Sequence, residues 1–253
     1  MEFVKIRKEG FTAVVSLNRP PANALSTEVI RELDTIFTEL ENDQKTRAVV
    51  LHGEGRFFSA GADIKEFTGI PSKERARDLS RQGQNVFEKI ERFSKPVIAA
   101  IHGAALGGGL ELAMSCHIRI VGEAAKLGLP ELQLGIVPGF GGTQRLPRYT
   151  GREKALEMML TGEPVSGTEA VEYGLALKAV PDSNVLKEAM QLAKKLENKS
   201  PLSVRVVLDL VFDHGKYALE KEADYFGELF VTEDAKEGRQ AFLEKRKPVF
   251  KGK

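Results

Sequence analysis

Apolar residues recur along this chain in two rhythms. Phe3 to Arg7 and Thr12 to Leu17 alternate apolar and polar positions, the period of a β-strand, and Lys8-Glu9-Gly10 supplies the turn between them. Asn18-Arg19-Pro20-Pro21 ends that pattern. Ser26 can cap a helix, and Ile30, Leu33, Ile36, Phe37 and Leu40 then recur at helical spacing, which predicts a helix to about Asn42. Arg47 to His52 holds the run Ala-Val-Val-Leu, a short buried strand, and a Gly- and Phe-rich loop follows from Gly53 to Phe67. Lys73 to Phe93 is charged, with Val86, Ile90 and Phe93 on one face, and reads as a second helix. Pro96 to Ile101 is another buried strand and runs straight into a glycine cluster. Leu110 to Cys116 reads as helix and His117 to Val121 as strand. Short, continuously apolar strands alternating with helices predict an α/β fold whose sheet is covered on both faces.

Beyond Gly151 the pattern becomes mostly helical. Ser166-Gly167-Thr168-Glu169 is a capping box, Gly174 stands where that helix should stop, and Ala176 to Val180 is a last strand. Ser200-Pro201 joins a cap to a proline at the first helical position, and Pro201 to Lys247 carries helical patterning alone. A boundary near Asn198 divides the chain into a core over residues 1–198 and a C-terminal helical region over residues 199–253.

Composition narrows the class. An apolar content of 42% over 253 residues supports a substantial core. The 37 basic and 36 acidic residues leave a net charge of +1, without the basic excess expected of a nucleic-acid binder. No apolar run is long enough to span a bilayer, since the stretch Pro96 to Leu112 is interrupted by His102 and by glycines. The N-terminus begins directly with strand-like alternation and shows no signal-peptide core. The single cysteine, Cys116, sits in an apolar stretch, which predicts a buried, inert thiol and fits the reducing cytoplasm.

Two glutamates carry the candidate chemistry: Glu111, behind Gly107-Gly108-Gly109, and Glu131, behind Gly128-Leu129-Pro130. Two carboxylates on one pocket can work as base and acid on the same substrate. The glycine run opens the helix that carries Glu111, so Gly108 can offer a free N–H to a developing oxyanion. Glu131 lies among apolar neighbours, which predicts a raised pKa. Taken alone, Ser59-Ala60-Gly61-Ala62-Asp63 reads as a tight turn capped by Asp63. Gly139 to Gly142 is a further candidate for cradling a phosphate, although no P-loop and no G-x-G-x-x-G pattern is present. There is no G-x-S-x-G elbow, and His52, His102, His117 and His214 lack metal-like spacing, so structural roles are expected for His102 and His117.

Together these segments resemble the enoyl-CoA hydratase (crotonase) family. The resemblance rests on Ser59-Ala60-Gly61-Ala62-Asp63-Ile64, Lys95 to Ala100, Ala105 to Ala113, Gly128 to Glu131, Pro138 to Leu146, Leu160-Thr161-Gly162, Ala170 to Leu175 and Glu237 to Arg246, in order along the whole chain. It implies an α/β spiral of ββα units with a C-terminal helical region that serves oligomerisation and completes the active site, in a homotrimer or a homohexamer. It implies an oxyanion hole from the backbone N–H groups of Ala62 and Gly108, with Glu111 and Glu131 as the catalytic acids and bases and Gly139 helping to position a water. The substrate would be an acyl-CoA thioester, with Ala22, Ala24, Leu25, Ala60, Asp63, Ile64, Pro130, Leu134, Phe242 and Lys245 as contacts and Thr68 to Arg81 shaping the acyl pocket. Coenzyme A arrives as part of the substrate, so no separate cofactor and no metal are expected.

Glutamate at both positions implies hydration of a 2-trans-enoyl-CoA to a 3-hydroxyacyl-CoA, a step of fatty-acid β-oxidation. Within the same fold the alternatives are an enoyl-CoA isomerase and a branched-chain, methylglutaconyl-type hydratase, the latter expected to show a basic residue in its pocket. A non-catalytic RNA-binding homologue is the reading from another class. The charges between Lys73 and Arg92 alternate in sign, which fits a solvated helix face rather than a nucleic-acid stripe.

Overall fold

A computed structural model describes residues 1–67, 71–212 and 218–253. Its larger sheet starts with an antiparallel pair, β1 (Val4–Glu9) and β2 (Thr12–Leu17), in which Val4 faces Leu17 and Glu9 faces Thr12. The chain then forms α1 (Thr27–Asn42), whose first turn is capped by Ser26 accepting from the Val29 N–H. Next come β3 (Ala48–Gly53), a short α2 (Ile64–Phe67), the long α3 (Lys73–Glu91), β4 (Val97–Ile101), β5 (Ala104–Leu106), α4 (Gly108–Ser115), β6 (Ile118–Gly122) and β7 (Lys126–Gly128). A helical turn at Glu131–Leu134 leads to α5 (Gly142–Thr150), α6 (Arg152–Thr161), β8 (Val165–Ser166), α7 (Gly167–Glu172) and β9 (Lys178–Val180). After a turn at Asp182–Asn184 come α8 (Val185–Leu196), α9 (Pro201–Val211), α10 (Ala218–Phe230) and α11 (Glu233–Leu243).

The six-stranded sheet runs β1-β2-β3-β4-β6-β9 and is parallel from β2 onward. Its apolar strands are continuous because both faces are covered. Val49, Leu51, Val97, Ala99 and Ile101 point into the main core with α1, α3 and α4. Ala48, Val50, Ile98 and Ala100 alternate to the other face and pack on Val185, Ala189 and Ala193 of α8. A second sheet, β5-β7-β8, lies beside the glycine-rich turns.

Several expected bounds move. The first strand runs to Glu9, the last begins at Lys178, and the helix expected from Leu110 begins at Gly108. The loop Gly53 to Phe67 contains α2. The stretch from Pro201 is three helices, with residues 213–217, and so His214, outside the described residues, as are residues 68–70 of the expected acyl-pocket segment. Glu244 caps the last helix, which therefore stops short of Lys247. The capping box forms, with Ser166 and Glu169 bonded reciprocally, and Gly174 takes a φ of +78° at the helix end. Asp234, buried at the start of α11, accepts from the backbone of Lys251 and Gly252 and from the Ser200 hydroxyl, and so ties the tail to the cap of α9.

Candidate active site

Two loops are pinned side by side beneath a cleft. Asn23, at a φ of +51° that asparagine tolerates better than most residues, donates from Nδ2 to the carbonyls of Glu54 (2.9 Å) and Phe57 (2.8 Å). Its own carbonyl accepts from the Ser59 hydroxyl at 2.8 Å. Leu25 and Ala62 then form a short parallel bridge, with Leu25 N donating to the Gly61 carbonyl and Asp63 N to the Leu25 carbonyl. That pairing spends the Asp63 N–H, and the Gly61 N–H donates to Ser59 Oγ at 3.3 Å. Ser59 bridges Ala105, and Leu106 N donates back to the Ser59 carbonyl. Gly109 permits this approach, since a methyl there would stand 2.4 Å from the Ser59 carbonyl oxygen.

The bridge leaves two backbone donors exposed to the cleft. Among the described residues, neither Ala62 N–H nor Gly108 N–H has an acceptor. They are close: a methyl built on Gly108 would lie 3.3 Å from Ala62 N, and one on Gly61 would lie 3.6 Å from Gly108 N. Gly108 is the first residue of α4, where the helix dipole adds to the attraction for negative charge.

Both glutamates reach the same cleft. Glu111 is 1% exposed, and its Oε1 accepts from Phe140 N at 2.8 Å and Gly142 N at 2.7 Å. Burial pushes its pKa up to about 7, reinforced by the charge of Glu131 and opposed by the two N–H groups and by Arg145. Glu131 opens the 131–134 turn beneath the cleft. Its Oε1 lies beside Gly107, and its buried Oε2 has no hydrogen-bond partner among the described residues. Burial raises its pKa as well. The N–H groups of Phe140 and Gly142 thus hold the Glu111 carboxylate instead of standing free for the phosphate that Gly139 to Gly142 offered as a further candidate.

The cleft has a volume of about 550 Å³ and is lined by both carboxylates, by Ala60, Gly61, Ala62, Ile64, Gly107, Gly108, Pro130, Leu134 and Gly139, and by Ala76, Leu79, Ser80, Gln133, Ile136, Val137 and Phe140. Of the remaining expected contacts, Leu25 is in the core, Ala22 accepts from Ala60 N, the Ala24 carbonyl lies 3.4 Å from Arg19 Nη1, and Asp63 pairs with Arg19. None of these four lines the cleft, and Ala22 and Leu25 bond the backbone of the 60–63 segment. Phe242 and Lys245 sit at the end of α11, away from the cleft of this chain, with the Phe242 ring 83% exposed. Gly139 lines the cleft with its N–H unbonded among the described residues, while its carbonyl accepts from Ser80 Oγ (2.6 Å) and Gln84 Nε2 (3.0 Å). His102 and His117 are structural: His117 Nδ1 accepts from Val97 N, and burial lowers its pKa to about 4. His102 Nε2 contacts the Gly55 carbonyl. Cys116 caps the end of α4, fully buried, its thiol pKa pushed up to about 12.

Sequence reading missed the support that α3 gives to the turn holding Glu111. The Phe140 ring packs edge-on against Phe87 at 5.5 Å and over Gly83, where a methyl would meet ring carbons at 2.3 and 2.5 Å. Ser80, Gln84 and Gly83 lie more than fifty positions from Gly139 and Phe140, so local pattern carried no signal. Gly83→Ala should therefore displace Phe140 and loosen Glu111. The expected result is a stability loss of about 1–3 kcal/mol, from thermal unfolding, together with lower activity. Unchanged values of both would show that the ring yields freely.

The sequence model of the enoyl-CoA hydratase/isomerase family matches residues 7–253. A Bacillus subtilis protein described as a probable enoyl-CoA hydratase is 54% identical, with both chains covered in full. A short-chain-enoyl-CoA hydratase of Clostridium acetobutylicum is 43% identical over 96% of this chain and 95% of its own. The crystal structure of an enoyl-CoA hydratase from Bacillus anthracis superposes with a TM-score of 0.94 at 39% identity, covering all of both chains.

Proposed function

Because the chain belongs to the enoyl-CoA hydratase/isomerase family and has the crotonase fold, we propose that its cleft adds water across the C2=C3 bond of a 2-trans-enoyl-CoA. One observation carries the reading: two buried carboxylates in unlike surroundings share a cleft with two unpaired backbone N–H groups. The N–H groups of Ala62 and Gly108 receive the thioester oxygen and draw electron density from C3. Glu111, ionised and steadied by two N–H groups, takes a proton from water as the water oxygen bonds to C3. Glu131, with an unpartnered oxygen that favours the protonated form, delivers its proton to C2. The N–H of Gly139, which lines the cleft, is assigned to hold the water. Like charges in one cleft resist double ionisation, so the pair keeps one proton near neutral pH. Addition of water is redox-neutral proton chemistry, so the reading assigns no cofactor and no metal.

The coenzyme A portion is assigned to the groove edged by Ala60, Ile64, Pro130 and Leu134, with Ala22, Ala24, Leu25 and Asp63 supporting its wall. Phe242 and Lys245 are assigned to the site of a neighbouring copy, in a homotrimer or homohexamer. Exposed apolar side chains on the C-terminal helices, among them Val207, Val211, Phe226 and Phe230, support such self-association through residues 199–253. Among the described residues, no helix is long and apolar enough to cross a membrane. The buried lone thiol fits a cytoplasmic enzyme of fatty-acid breakdown.

The decisive experiment follows the loss of conjugated-thioester absorbance of crotonyl-CoA. Rapid loss with 3-hydroxybutyryl-CoA as product supports hydration. No loss by a folded, CoA-binding protein, with turnover of a 3-enoyl-CoA, would replace it with isomerisation.

The acyl wall adds a substrate preference. Ala76, Leu79, Ile136 and Val137 are apolar, and no Lys or Arg lines the cleft among the described residues. An acyl chain ending in a carboxylate would enter unpaired, at a cost of a few kcal/mol. kcat/KM for an unsubstituted short enoyl-CoA should exceed that for its terminal-carboxylate analogue by about thirtyfold or more. Equal values would favour the carboxylated substrates of a methylglutaconyl-type enzyme.

A further inference from the structure

Arg145 is the buried cation nearest the proposed chemistry, and proton transfer as described does not use it. It is 6% exposed on α5. Its Nε and Nη2 donate to Glu91 Oε2 at 3.1 and 2.7 Å, and its Nη1 donates to the Phe140 carbonyl at 2.9 Å. Glu91 is held in turn at the end of α3, where its backbone carbonyl contacts His117 Nε2 at 3.2 Å. The turn closes tightly over the guanidinium: Gly141 takes a φ of +107°, and a methyl there would stand 2.3 Å from Arg145 Nη1.

The turn therefore has two faces. Carbonyls point outward, Gly139 to Ser80 and Gln84, Phe140 to Arg145. The N–H groups of Phe140 and Gly142 point inward to one oxygen of Glu111. Removing the guanidinium would free the peptide between Phe140 and Gly141 to rotate and re-aim the Gly142 N–H. It would also leave the buried Phe140 carbonyl unpaired.

We propose that Arg145, locked by Glu91, is a positioning residue for Glu111: it fixes the turn whose N–H groups hold the carboxylate and supplies the positive charge that favours its ionised form. The inference rests on Glu111 acting as the base. The groups that bear on Glu111 are Glu131 from the 131–134 turn, Arg145 from α5 and the two turn N–H groups; burial and Glu131 favour the protonated form, and the others oppose it. Arg145 itself faces Glu91, whose other oxygen lies 3.6 Å from Arg148. Arg119, on β6, is bonded to the carbonyls of Leu175 and Cys116.

The test is the pH dependence of kcat/KM for crotonyl-CoA in wild type, Arg145→Gln, Arg145→Lys and Glu91→Gln, each checked for folding by circular dichroism. In Arg145→Gln the acid limb should move up by about one pH unit, giving about tenfold less activity below the limb on top of the fall in kcat that it shares with Arg145→Lys. Arg145→Lys keeps the charge and loses the fork, so its limb should stay near that of wild type while kcat falls. A uniform loss in Arg145→Gln at every pH, with the limb unmoved, overturns the proposal. Should Arg145→Gln fail to fold, Glu91→Gln carries the test. It removes a negative charge beside Arg145, so its limb should hold or fall, and a rise overturns the proposal. Glu111→Gln is the control: activity equal to wild type there removes the underlying reading, whatever Arg145 does.

Discussion

Glu111→Gln is expected to cost about 10³–10⁴ in kcat/KM for crotonyl-CoA and, above neutral pH, to make the protein more stable. The amide oxygen of Gln can still accept from Phe140 N and Gly142 N, so the loop geometry is retained while the base is lost. The stability gain follows from linkage. The folded protein keeps the Glu111 proton to about pH 7, whereas the unfolded chain releases it near 4.5. Between those values the folded state binds more protons, so stability falls as pH rises, and the deficit is complete above about 7. Removing the carboxylate removes that deficit, at most about 3 kcal/mol at roughly 1.4 kcal/mol per pH unit. Unfolding temperatures of wild type and variant should coincide near pH 4 and diverge toward pH 8. A variant that lost both activity and stability at pH 8 would mean that the carboxylate is a structural strut. Glu131→Gln should lose activity to a similar extent, and the double variant little more than either, since both act in one proton relay.

Gly108→Ala should lower kcat by about 10²–10³ with KM little changed, because it removes stabilisation that exists chiefly in the transition state. The added methyl would stand 3.3 Å from Ala62 N, in the space between the two donors, and 3.2 Å from the Phe140 ring. Gly108 lies within α4, so alanine there is not penalised by helix propensity. Loss of rate in a variant that still binds CoA ester would place the defect at the oxyanion. Retention of most of the wild-type kcat would mean that the carbonyl is polarised elsewhere.

Legibility in the sequence depended on how far apart the interacting residues lie. The helix after Ser26, the buried strands at Arg47 and Pro96 and the capping box at Ser166 were readable because cap, period and burial are local. The three-residue strands Ala104–Leu106 and Lys126–Gly128 were missed because they are too short for a period to show. Both glutamates were found from their glycine-rich flanks, and the structure brings them to one cleft. What holds them was not readable. Asn23 acts on carbonyls more than thirty positions away, and Arg145 meets Glu91 across 54 positions. Ala22, Ala24, Leu25 and Asp63 do not line this cleft, and of the four Leu25 is in the core, drawn there by its bridge to Ala62.

The buried cysteine gives the experimenter a built-in reporter. Cys116 is the chain's one thiol, fully enclosed, with its proton held to about pH 12. A thiol-titrating dye should therefore leave the native protein unlabelled. Free coenzyme A released by stray thioester cleavage can be counted in the same cuvette without correction for the enzyme. When the dye does colour the protein, at one equivalent per chain, its rate reads how often the core around α4 opens, so one reagent monitors both reaction purity and the opening of the fold.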